Sequence, residues 1–309
     1  MTSTQYRHLF GPVPSRRFGR SLGIDLTPYK TCSMDCVFCQ LGRTSDKTLT
    51  RKRYVPTAEV VAEIEHWLKV DGEADYLTLS GSGEPTLHAE FGNVLSMLRD
   101  TPILSALLTN GTLLQVPEVR AGARLADVVK VSLSVWDQQS FFWVNRPHPK
   151  LDFRSYYDGL KQFRHEFSGQ LWLEVFLLSG INAVGKRVEA IAALARELAP
   201  DRIHLNTVVR PPAEAFAAAV SLPELEKFSG LFDPPAHIAA ESSNRRSKAS
   251  TADPSVILAM LRRRPCTNEQ IQAAFGLHIN EVSKTLGQLI RNRLIRATVK
   301  HNDIYYRSA

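Results

Sequence analysis

Cys32, Cys36 and Cys39 sit in the run Thr31-Cys32-Ser33-Met34-Asp35-Cys36-Val37-Phe38-Cys39-Gln40, directly after the apolar stretch Leu22–Thr27. This C-x3-C-x2-C spacing gathers three thiolates. A [4Fe-4S] cluster ordinarily takes four cysteine ligands, so three leave one iron open to bind a molecule and act on it. The competing reading is structural zinc, which asks for four ligands in a tetrahedron. The fourth would come from Cys266 or from a histidine such as His8. Thiol–disulfide exchange would use the Cys36–Cys39 pair, which has the C-x-x-C spacing without a thioredoxin-like setting.

A second constellation lies at the end of the next strand-like run: Ser80-Gly81-Ser82-Gly83-Glu84-Pro85. Glycines let a backbone approach a ligand closely, and a carboxylate such as Glu84 accepts from a cation. The plainer reading is a tight turn. Further polar residues close later strands: Thr109-Asn110-Gly111, Ser132-Leu133-Ser134, Ser179-Gly180-Ile181-Asn182 and Leu205-Asn206-Thr207. Glu174 sits inside an apolar strand, where a lone buried charge costs several kcal/mol. It either faces a ligand in the lumen or pairs with a basic residue. Two loops carry arginines, Phe10–Arg20 and Asn145-Arg146-Pro147-His148. These are substrate contacts, by bidentate bonds to carboxylate or phosphate, or solvated surface.

The elements that must position these residues alternate. Strands are expected at Leu22–Thr27, Tyr76–Ser80, Ile103–Thr109, Val128–Ser134, Leu171–Leu178 and Arg202–Val209. Helical patterns lie at Ala58–Lys69 (with Thr57 as N-cap), Glu118–Ala126, Phe153–Phe167, Lys186–Leu198 and Leu222–Phe232. Such alternation implies parallel βα units, and six units make a partial (β/α)6 TIM-like barrel, with ligands at its C-terminal mouth. Residues 1–235 form this α/β domain and 236–252 a linker, with Glu241–Thr251 polar and without period. Residues 253–309 show helical patterns at Pro254–Arg264, Thr267–Phe275 and Ile279–Arg293, then a hairpin pattern around His301-Asn302-Asp303. Thr267 and Gln270 form a capping box, and Gly276 can close the second helix. Three helices and a β-wing describe a winged helix-turn-helix domain.

The net charge of +7 belongs to the C-terminal end: residues 253–309 hold nine Lys/Arg against four acids. That field suits a phosphate backbone, although winged helices also bind proteins. Asn280, Ser283, Lys284 and Gln288 of the third helix are the candidate groove-facing residues. No apolar run reaches 18 residues, so no membrane span is expected. Met1–Phe10 has no apolar h-region. Three of four cysteines within eight residues speak against a disulfide scaffold and for a reducing, cytoplasmic setting.

The cysteine triplet with Phe38 before its last member, together with Ser80–Pro85, resembles the radical S-adenosylmethionine (SAM) superfamily. Roughly residues 6–235 resemble a group related to the radical SAM domain of tRNA 4-demethylwyosine synthase, and more distantly the nitrogenase cofactor maturase. The resemblance implies an enzyme whose open iron chelates SAM. It implies reductive cleavage of SAM to a 5′-deoxyadenosyl radical that abstracts hydrogen from a substrate, RNA among the options. Cys32, Cys36 and Cys39 become the cluster ligands. Gly81, Ser82, Gly83, Glu84 and Pro85 become the motif at the SAM ammonium. Ser132 and Ser134 fall at the SAM carboxylate or ribose, Asn182 near the adenine, and Asn110 and Asn206 at neighbouring strand ends. A flavodoxin- or ferredoxin-type electron donor is implied as partner. Wyosine synthases carry a second cluster on cysteines upstream of the triplet, and no cysteine precedes Cys32 here, which speaks against two-carbon transfer from pyruvate to a tRNA guanine. The alternative function is an iron-sulfur redox sensor whose winged helix binds DNA; a sensor has no need of the glycine motif.

Overall fold

A computed structural model of the chain describes residues 6–15, 17–238, 254–300 and 303–309. In chain order its strands are β1 (Leu9–Ser15), β2 (Gly19–Ile24), β3 (Thr31–Cys32), β4 (Asp46–Lys47), β5 (Tyr76–Leu79), β6 (Leu104–Leu108), β7 (Val128–Ser132), β8 (Gln170–Phe176), β9 (Arg202–Asn206), β10 (His237–Ile238), β11 (Ile295–Lys300) and β12 (Asp303–Ser308). Eight of them form one sheet in the order β1-β2-β5-β6-β7-β8-β9-β10. Pairing is antiparallel between β1 and β2 and parallel from β2 onward.

The sheet curls. β5 and β8 lie three strand spacings apart, about 14 Å if flat. Yet the rings of Tyr76 on β5 and Trp172 on β8 stand 6.5 Å apart, and Phe18 contacts both at 5.1 and 4.8 Å. The concave side is therefore closed off by aromatic packing around the turn between β1 and β2. The other face is covered by helices α1 (Thr57–Val70), α2 (Phe91–Leu98), α3 (Pro117–Ala123), α4 (Gln138–Ser140), α5 (Phe153–Glu166), α6 (Gly185–Leu198) and α7 (Leu222–Ser229). Strand residues such as Leu77, Leu79, Val129, Val131, Leu173 and Val175 share one core with Ile64, Trp67, Leu95, Phe163 and Ile191 of these helices. Alternation along a strand then turns Thr78, Lys130, Glu174 and His204 to the concave side.

All six strands expected from the sequence are present. β1 falls in the segment read as a basic loop. Its Gly11, Pro12 and Pro14 mask the strand period, and its pairing slips between Phe10 and Val13. β10 falls within residues 236–252, read as linker; two residues carry no readable period. Helix α2 was also missed. Helix α1 begins at Thr57 behind Pro56 and has no side-chain cap; the Thr57 hydroxyl donates instead to Glu90 Oε2 at 2.6 Å.

Helices α8 (Pro254–Arg263), α9 (Asn268–Phe275) and α10 (Ile279–Arg291) follow, and β11 and β12 form a hairpin. They enclose a second core of Ile257, Leu261, Ile271, Phe275, Val282, Leu286, Leu289 and Ile295, against which Val13 of β1 packs. Thr267 and Gln270 form the expected capping box, and Gly276 ends α9 at φ +65°. Glu241–Thr251 and the hairpin residues His301 and Asn302 lie outside the described residues.

Candidate functional site

The cysteine loop and the glycine turn are built against each other. Gly81 and Gly83 have no room for a Cβ: one at Gly81 would meet the Asp25 carboxylate, and one at Gly83 the carbonyl oxygen of Thr31. The backbones therefore approach as only glycine permits. Ser82 donates from its N–H (3.1 Å) and its hydroxyl (2.6 Å) to Asp25, and its carbonyl accepts from Lys30 N–H at 2.7 Å. Glu84 N–H donates to Thr31 O at 3.0 Å.

Each cysteine sulfur meets its own donor. Asn110 Nδ2 reaches Cys32 Sγ at 3.5 Å, Asn145 Nδ2 reaches Cys36 Sγ at 3.2 Å, and Lys30 Nζ reaches Cys39 Sγ at 3.1 Å. Burial lowers the affinity of the Lys30 ammonium for its proton, but the three cysteine sulfurs, Cys39 foremost, together outweigh that and lift its pKa above the ordinary value. Burial pushes the Cys32 thiol up to about 12, with nearby Glu84 adding to it, and pushes Cys36 up as well. A metal centre must therefore displace protons from these thiols. Among the described residues no three His, Cys, Asp or Glu side chains converge on a point that would hold one metal ion. One N–H donor on each of the three sulfurs is the means by which a protein tunes the thiolates of an iron–sulfur cluster.

Glu84 is not open to the mouth. It is buried, and Oε1 accepts from Thr86 N–H (3.1 Å), Thr86 Oγ1 (2.6 Å) and Thr109 Oγ1 (2.6 Å), while Oε2 accepts from Asn110 N–H (2.7 Å). Burial raises its pKa and these bonds oppose the rise. The carboxylate thus ties the glycine turn to the end of β6, and Pro85 starts the short 3-10 turn Pro85–Leu87 behind it. Asn110, thereby oriented, also donates to Ser33 Oγ at 2.9 Å.

Glu174, left open between two readings, is paired. One oxygen accepts from Arg17, the other from Lys130 Nζ at 2.6 Å, and Asn206 Nδ2 adds a bond at 3.3 Å. Burial would raise its pKa, but the Arg17 and Lys130 charges hold it well below the usual carboxylate range. His204 beside it is pushed down to about 3 by burial and by the same two cations. The basic loop thus sends Arg17 onto Glu174 on the concave side of the sheet. Arg16 lies outside the described residues.

Ser134 and Asn182 do not face the mouth. Both are buried; Ser134 Oγ accepts from Phe176 N–H at 2.8 Å, and Asn182 Nδ2 donates to the carbonyls of Ser134 and Phe176 at 2.8 Å. Asn182 Oδ1 accepts from Leu178 N–H at 2.6 Å. Their polar atoms knot the ends of β7 and β8, a demand of buried backbone that strand-end residues commonly meet. Ser132 is half-buried, with its carbonyl bonded by Tyr156 Oη. Phe38 stacks on Phe176 at 4.2 Å.

The sequence reading missed Asp25, Lys30 and the role of Asn145, which it placed among substrate contacts. Their signal was weak: one acid ending an apolar run, and one lysine two residues before Cys32. It also missed that α8 closes the barrel mouth. Arg263 Nε donates to Asp25 Oδ2 at 3.1 Å and its guanidinium lies 4.2 Å over the Phe10 ring. Met260, Arg263 and Arg264 form one wall of a cavity of about 310 Å³ whose opposite wall includes Ser80, Gly81, Gly83 and Leu108. Tyr305 Oη reaches Val209 O at 3.4 Å on the far rim.

The profile of the radical SAM superfamily matches residues 26–195. A GTPase Obg of Brachyspira hyodysenteriae is 32% identical over 305 residues, 97% of this chain; the chain spans 45% of that protein's length. A UPF0026 protein of Methanocaldococcus jannaschii is 35% identical over 72% of this chain and 70% of its own length. Among solved structures, TYW1 with a lysine–pyruvate adduct bound superposes with a TM-score of 0.55 at 16% identity, covering 75% of this chain and 76% of that one. This last likeness is one of fold.

Proposed function

Because the chain belongs to the radical SAM superfamily, whose members bind a [4Fe-4S] cluster and SAM, we propose that Cys32, Cys36 and Cys39 bind one cluster here and that the chain reductively cleaves SAM for hydrogen abstraction. The observation that carries this is the pairing of three thiols, each with its own donor, with a turn in which neither Gly81 nor Gly83 has room for a side chain. Bound there, the cluster supplies one electron that splits the sulfonium C–S bond into methionine and a 5′-deoxyadenosyl radical.

The chain's own residues bind and orient. Gly81–Gly83 present backbone to the SAM methionine group, and Glu84 holds that turn without touching the ligand. Asn110, Asn145 and Lys30 set the electron density on the thiolates. Ser132 and Asn206, with the Glu174 ion cluster, line the lumen below, and the Phe18–Trp172 plug excludes water from it. Residues 253–309 are read as a winged helix, with Asn280, Ser283, Lys284 and Gln288 exposed along α10 as its surface for nucleic acid or protein. A flavodoxin- or ferredoxin-type donor supplies the electron.

The test is anaerobic reconstitution, reduction with dithionite and assay of SAM. 5′-Deoxyadenosine and methionine are expected, and Cys36→Ala should form neither. A fully loaded cluster that leaves SAM intact would refute the reading.

A further inference from the structure

A cavity of about 930 Å³ opens between the C-terminal unit and the rim of the barrel, bordering the glycine turn at Ser82 and the cysteine loop at Gln40. Among the described residues six arginines line it: Arg7, Arg262, Arg263, Arg264, Arg296 and Arg307. Among the described residues, Asp25 is the one acidic side chain that lines it, already bonded by Arg263 and Ser82. Among the described residues none of Arg7, Arg262, Arg264, Arg296 and Arg307 makes an ion pair. Arg307 Nε is buried without a hydrogen-bond partner, as is Nε of Arg210 behind the same wall. Arg210 is also pushed down in pKa, first by burial and then by the charge of Arg264. Guanidinium groups drawn together from the residues before β1, from α8 and the residue after it, and from β11 and β12 repel one another, a cost that a multiply charged anion would offset. They also offer paired N–H donors whose fork matches phosphate. Beside them Tyr29, 55% exposed, lines the cavity and leaves a ring face for a base to stack on. The volume falls within the range for ligands of nucleotide size.

We propose that this cleft is the substrate subsite of the chain and takes a phosphate ester of nucleotide size, with the phosphates on the α8 and hairpin arginines and the base against Tyr29. This rests on the radical SAM reading only for the word substrate; the anion site itself does not depend on it. α8 then serves two surfaces at once: Met260 and Arg263, with Arg264 just after the helix, wall the cavity over the glycine turn, and Arg262 faces the bound phosphate. The ligand lies next to the site of radical formation because the same helix borders both.

The test is titration calorimetry on the full-length, cluster-loaded protein under saturating SAM, so that the SAM pocket is filled. The probes are ADP and a 12-nucleotide single-stranded RNA. Arg262 and Arg296 are exposed, so R262A/R296A is expected to fold, checked by its melting temperature. Loss of two charge-assisted contacts should weaken binding at least about tenfold, and raising salt fourfold should weaken it in the parent protein too. ADP binding with these responses assigns a free nucleotide; binding of the RNA alone with the same responses assigns a nucleotide within a strand. Binding of neither probe, or binding that R262A/R296A and salt leave unchanged, would overturn the proposal. 5′-Deoxyadenosine is measured on the same preparation. If it forms while neither probe binds, only the subsite falls. If it does not form while arginine-dependent binding persists, only the radical SAM reading falls.

Discussion

Replacing Lys30 with Met should make the cluster harder to reduce. The Lys30 ammonium stands 3.1 Å from Cys39 Sγ in a buried position, so it favours the state with more negative charge on the sulfurs. A charge-assisted hydrogen bond contributes about 1.5–3 kcal/mol. A unit charge about 6 Å from the added electron, at an effective dielectric near 20, gives about 3 kcal/mol. For a one-electron couple, where 1.4 kcal/mol corresponds to about 59 mV, the midpoint potential should fall by roughly 60–130 mV. Met keeps the length and apolar stem of the side chain, and the backbone bond from Lys30 N–H to Ser82 O survives. Asn145→Leu removes a neutral donor at 3.2 Å from Cys36 and should lower the potential by a smaller amount, about 20–60 mV. The assay is an anaerobic redox titration followed by electron paramagnetic resonance. A K30M midpoint within about 20 mV of the parent would refute the claim that these donors act on the cluster.

Glu84→Ala removes four hydrogen bonds and leaves Thr109 Oγ1 and Asn110 N–H without their acceptor. At about 1–3 kcal/mol for each buried group, the apo protein should lose about 2–6 kcal/mol in denaturant unfolding. An unchanged midpoint would show that the carboxylate does not hold the turn. Stability should also fall with acid in two steps. His204 stays neutral in the fold down to about pH 3 but is protonated near pH 6.5 when unfolded, so stability declines as pH drops through that interval. Glu174, held ionised in the fold, contributes above its unfolded pKa of about 4.3 and is lost below it. His204→Gln should therefore make the melting temperature less pH-dependent between pH 4.5 and 6.5; an identical slope would exclude His204 as the cause.

The chemistry was legible in the sequence because the thiolates and the glycine turn are short, local patterns whose spacing already limits what they bind. Strand–helix alternation was legible for the same reason: each period is set within a dozen residues. Asn145 and Arg17 were read as loop residues, because their partners, Cys36 and Glu174, lie 109 and 157 residues away in sequence. Glu84, Ser134 and Asn182 carry the polarity of a ligand site, but burial turns their polar atoms onto backbone and neighbouring side chains. The sequence by itself determined the three thiolates, the glycine turn, the parallel sheet and the basic C-terminal unit. Only the tertiary structure decided which donors face the sulfurs and what Arg263 grips. It also decided that α8 shares the barrel mouth, because such contacts join segments more than 200 residues apart and no local pattern encodes them.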